Sequence, residues 1–204
     1  MKTSGFQIHY TTWRSLLTAA ILRDLNIRKF SYPFDWCSSN SQLYDTNLDI
    51  IVDIIKRRLK GGENDRDLMV EMIGSNLENG ELNKENNLIF PGDKNQALNE
   101  VYDKYIRRFE RMIEHITSRE KCLYIFVNRY ADISDTKIKE LSDMLLEYNS
   151  ESKLILFLGK EHKHFNDISK SIIYKYIPYD PTQFYEYDYS HFRPAMTEYF
   201  KSIC

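Results

Sequence analysis

Three short apolar runs in the second half of the chain constrain the fold more than anything else in it. They are Cys122-Leu123-Tyr124-Ile125-Phe126-Val127, Lys153-Leu154-Ile155-Leu156-Phe157-Leu158 and Ile172-Ile173-Tyr174-Lys175-Tyr176-Ile177. A strand with one wet face alternates apolar and polar residues, whereas a near-continuous run marks a strand covered on both faces, the habit of parallel sheets. Between the first two runs, Ser134–Tyr148 sets Ile138, Leu141, Leu145 and Tyr148 at helical spacing. Strand, helix and strand with short connections make a βαβ crossover, so those two strands lie parallel. The expectation is α/β: one domain over 1–204, a mostly parallel sheet, and helices on both faces.

The first half supplies further elements. Phe6–Tyr10 alternates as a short strand. Thr11 or Thr12 caps a helix whose stripe is Leu16, Leu17, Ala20, Ile21 and Leu25, and Asn26 ends it. Leu48, Ile51, Ile55 and Leu59 mark a helix over Asn47–Leu59, with Lys56, Arg57, Arg58 and Lys60 suited to its C-terminal dipole and Gly61-Gly62 as its stop. Residues 63–87 are polar and read as a mobile surface excursion around one short helix at Leu68, Met69, Val70, Met72 and Ile73. Asn87–Phe90 is a short strand closed by Pro91-Gly92. From Lys94 a long helix presents Val101, Tyr105, Phe109, Met112 or Ile113, and Ile116, with Arg107, Arg108 and His115 on its solvated face. Residues 179–204 hold an aromatic, acidic stretch and a last helix, Pro194–Ile203, that docks on the sheet.

Charge and motifs exclude several functions. A formal charge of -2 and a pI near 6.2 give no field to draw in nucleic acid or an anionic membrane, so neither is expected as a partner. No run reaches membrane-spanning length. Cys37, Cys122 and Cys204 are odd in number and far apart, without C-x-x-C, as in a reduced cytoplasmic protein. The chain has no P-loop, G-x-G-x-x-G, G-x-S-x-G or H-E-x-x-H, which disfavours nucleotide triphosphate and serine-hydrolase chemistry. Glu161-His162-Lys163-His164 lacks a third ligand, so no metal and no cofactor are expected.

Lys29-Phe30-Ser31-Tyr32-Pro33-Phe34-Asp35-Trp36-Cys37 is the least generic segment. Pro33 bars a helix, and the large rings need burial, so the segment dives through the core. Asp35 lies among aromatic neighbours, where a carboxylate either caps backbone amides in a buried turn or floors a site. Leu25-Asn26-Ile27-Arg28 followed by Ser31-Tyr32-Pro33-Phe34-Asp35-Trp36 resembles the signature of a family of papain-like cysteine peptidases found in large DNA viruses and bacteria. The resemblance continues through Asn47–Leu59 and Tyr105-Ile106-Arg107-Arg108-Phe109-Glu110, about the first two thirds of the chain. It implies a cysteine nucleophile at the head of the first helix, where Thr12-Trp13-Arg14-Ser15-Leu16 has none. It also implies a histidine near a Phe-Pro pair, and here Gly92-Asp93 follows Phe90-Pro91.

Open α/β sheets bind ligands outside the carboxyl ends of their strands. Three loops are expected there: His9-Tyr10-Thr11-Thr12, Asn128-Arg129-Tyr130 and Gly159–His164, with Asp35 joining them around one crevice. The candidate catalytic set is Cys37, His9 and Asp35, a thiol needing a base and an orienting group, against an inert buried Cys37. The candidate ligand-binding set is Asn128, Arg129, His162 and Trp36. Arg129 either forks onto a phosphate or carboxylate or pairs with Asp132 or Asp135 to cap the next helix. Three functions stay open. The first is a peptidase-family member with altered or lost hydrolase activity. The second is a transferase acting on sugars or other anionic small molecules, using Arg129, Asp35 and the aromatic surface; Glu186-Tyr187-Asp188 is an acidic pair of the kind that holds a metal for a nucleotide-sugar diphosphate, against the commoner reading of a solvated acidic loop. The third is a non-catalytic interaction module for a small-molecule or peptide ligand, favoured by the missing Cys/His pair.

Overall fold

The structure, a computed structural model, describes residues 9–13, 16–35, 38–39, 44–61, 64–74, 88–90, 93, 96–128, 134–159, 161, 171–178 and 192–203. Its elements are β1 (His9–Trp13), α1 (Leu16–Asp24), β2 (Ser38–Ser39), α2 (Tyr44–Lys60), α3 (Asp65–Ile73), β3 (Leu88–Ile89), α4 (Leu98–Thr117), β4 (Cys122–Asn128), α5 (Asp135–Tyr148), β5 (Lys153–Leu158), β6 (Ile172–Tyr176) and α6 (Phe192–Ile203). Four strands form one sheet in the order β1-β4-β5-β6, each neighbouring pair parallel. β2 and β3 form a separate antiparallel pair, Ser38 opposite Ile89 and Ser39 opposite Leu88.

The apolar runs become strands buried on both sides because successive side chains point to opposite faces. Cys122, Tyr124, Phe126, Leu154, Leu156, Leu158 and Ile172 meet the apolar stripes of α2, α3, α4 and α5. Leu123, Ile125, Val127, Ile155 and Phe157 meet Ile21 and Leu22 of α1 and Phe192, Met196 and Phe200 of α6. Burying each such side chain contributes about 1.5–3 kcal/mol, so either face alone supplies a substantial core. The α/β class and helices on both faces stand as expected.

Boundaries differ where propensity and packing compete. The first strand, described over His9–Trp13, runs past the end expected at Tyr10; residues 1–8 lie outside those described. Asn26 closes α1 in the left-handed region, φ 56, with Ile27 N and Arg28 N both donating to Leu22 O at 3.0 and 3.1 Å. The expected excursion at 63–87 is, over Asp65–Ile73, a core helix: Leu68, Met69, Met72 and Ile73 are buried. Asn64 caps it by accepting from Arg66 N at 2.8 Å, and Arg57 of α2 forks onto Glu71 at 2.7 and 2.8 Å. Residues 75–87 lie outside the described set. α6 starts two residues before Pro194, whose missing N–H costs nothing in a first turn. Among the described residues no helix is long and apolar enough to cross a membrane.

Candidate functional site

The aromatic segment carries the chain from one face of the sheet to the other. Leu25 and Ile27 pack with the α1–α6 side, whereas Tyr32 and Phe34 sit in the core on the α2–α5 side. The crossing turns at Tyr32–Asp35: Asp35 N donates to Tyr32 O at 3.3 Å with Pro33 at the second position, where its fixed φ suits a turn. Asp35 Oδ2 closes the turn from the other side, accepting from Tyr32 N at 2.8 Å and from Arg28 Nη2 at 2.7 Å. Arg28 also donates to Ser31 Oγ at 2.8 Å and to Phe30 O at 3.1 Å. The side chains of Arg28 and Asp35 keep only 10% and 1% of their surface exposed. The signature carboxylate is thus a clasp that folds the segment on itself.

α4 receives the clasp. Arg111 Nη1 donates to Ser31 O at 2.9 Å, Phe34 meets Phe109 edge-on at 5.5 Å, and the Tyr32 hydroxyl lies 2.6 Å from His115 Nδ1. Burial pushes the Tyr32 phenol far above its ordinary ionisation range, so it keeps its proton; when it donates, Nδ1 accepts and the ring proton sits on Nε2. His115 is buried, also against Phe30 at 5.4 Å, and the solvated position read from the sequence is corrected. The sequence reading missed His115 and Arg111. The usable signal was position: His115 follows Met112 by three residues and precedes Ile116, at the border of the apolar stripe.

Behind His115 lies the first residue of β4. Cys122 Sγ donates to His115 O at 3.3 Å, and Asn149 Nδ2 donates to Glu120 O at 2.7 Å while standing 4.0 Å from that sulfur. Cysteine, histidine and asparagine meet here, but they are not wired as a nucleophile. The thiol bonds the histidine's carbonyl, Nδ1 faces Tyr32, and burial raises the thiol's pKa. A thiol held protonated is inert.

A second polar knot lies farther along α4. Asp93, 4% exposed, accepts from Lys104 Nζ, from Gln96 Nε2 at 3.3 Å and from Tyr105 Oη at 2.9 Å. It stands just after Phe90-Pro91, where the resembled family has its histidine. Tyr105 is ten residues of helix from His115, about 15 Å, so the two knots are separate.

The expected crevice does not gather as read. His9 opens β1 instead of ending it, and pairs in register with Cys122 at the amino edge of the sheet. Asp35 belongs to that edge through Tyr32 and His115. Asn128 ends β4, about 20 Å away at ~3.3 Å per residue. Asp35 and Asn128 therefore lie at opposite ends of the strand. The side chains of His9 and Asn128, and the whole of Trp36, Cys37, Arg129, Asp132, His162 and 186–188, lie outside the described residues. Among the described residues no group of three or more His, Cys, Asp or Glu is arranged to hold a metal ion. No family model, no curated protein and no solved structure matches this chain.

Proposed function

We propose that this chain is a member of the papain-like peptidase family it resembles, one whose scaffold is kept and whose hydrolase centre is not, so that it binds instead of cleaving. One observation carries the reading. Asp35, at the centre of the signature, is fully enclosed and its Oδ2 is occupied by Arg28 and the Tyr32 amide, a structural duty. Two more support it. The strand after the signature pairs with the strand before Phe90–Asp93, linking the two halves of the family pattern, yet the acid there is engaged by Lys104 and Tyr105. The one described thiol is buried and held protonated, which fits a reducing, cytoplasm-like compartment.

The test is iodoacetamide labelling of the native protein at neutral pH, resolved at each cysteine by mass spectrometry, beside a peptide-library cleavage assay. The expected result is no cleavage and Cys37 labelling no faster than a free cysteine peptide. Labelling of Cys37 more than about tenfold faster, lost in His9→Ala, would reveal a thiolate and return the chain to the peptidases.

A further inference from the structure

We draw no further inference here: the strongest candidate, the crevice at the carboxyl ends of β1 and β4, from which α1 and α5 leave toward opposite faces of the sheet, carries nothing because the side chains that end those strands lie outside the described residues and a helix N-terminus alone selects no ligand.

Discussion

Replacing Asp35 by Ala tests whether the signature carboxylate is a clasp. In the folded chain its Oδ2 receives Arg28 Nη2 at 2.7 Å and Tyr32 N at 2.8 Å, with nine tenths of the Arg28 side chain out of water. Removing one partner of a buried ion pair costs about 3–5 kcal/mol, because the other charge is stranded. The Tyr32 amide loses its acceptor as well, about 1 kcal/mol more. Arg28 keeps Ser31 Oγ and Phe30 O, which places the ion-pair cost near the low end. The sum is roughly 4 kcal/mol, or a fall in Tm of roughly 8–16 °C for a chain of this size. Urea unfolding followed by far-UV circular dichroism measures it. Arg28→Met alone should cost about as much, whereas Arg28→Met with Asp35→Asn removes both charges, keeps an acceptor for Tyr32 N, and should lie within about 1–2 kcal/mol of the parent. A loss below about 1 kcal/mol in Asp35→Ala, or single costs that simply add in the double variant, would refute the clasp and reopen a ligand role for Asp35.

Alkaline stability provides a second handle. Burial holds Cys122, Tyr32 and Tyr124 protonated above their ordinary values of 9.0, 10.0 and 10.0. Raised folded-state values mean that this contribution is complete below about pH 9 and declines as pH rises, approaching ~1.4 kcal/mol per pH unit for each group that ionises only when unfolded. Urea midpoints should therefore fall between about pH 9 and 11, and Tyr32→Phe should remove one group's share of the slope; a flat profile contradicts the burial argument. At neutral pH the same variant should cost about 1–2 kcal/mol for the lost bond to His115. Gly61 has φ 70, and a Cβ there would meet nothing within 4 Å. Gly61→Ala should thus cost about 1 kcal/mol from backbone strain alone and Gly61→Asn clearly less; equal Tm values for the two would remove the left-handed cap from the account.

The legible parts of the fold are those whose burial is complete. β4 and β5 lie within one residue of their apolar runs because both faces are covered, so Cys122–Val127 and Leu154–Leu158 all report the same buried environment. Among the described strands β1 pairs with β4 alone, and His9–Trp13 carries no such run, so the alternation at Phe6–Tyr10 set the expected end short of Trp13. α3 was half legible. Its apolar pairs at 68–69 and 72–73 recur at one helical turn, but Asp65, Arg66, Asp67 and Glu71 gave it the composition of an excursion. What buries it is contact with α4, including Tyr102 Oη donating to Gly74 O at 2.8 Å, and a partner 28 residues along the chain leaves no mark on local pattern.

Asp35 was assigned to the wrong edge for a topological reason that the sequence did contain. A helix that follows a strand and packs along it returns the chain to the edge where the strand began. The stretch after α1, from Leu25 to Asp35, is therefore committed to the amino edge, and the shared crevice expected at the carboxyl ends could not include Asp35. Once there, the segment meets the last turn of α4, which must itself reach the amino edge to feed β4. That requirement brings His115 and Arg111 to Tyr32 and Ser31. The same requirement sets Arg111 against the clasp, its guanidinium over the Phe30 ring and one of its N–H groups on Ser31 O. The clasp and the helix end that holds it are thus two consequences of one return path, and a variant that moved the clasp would be expected to move Arg111 with it.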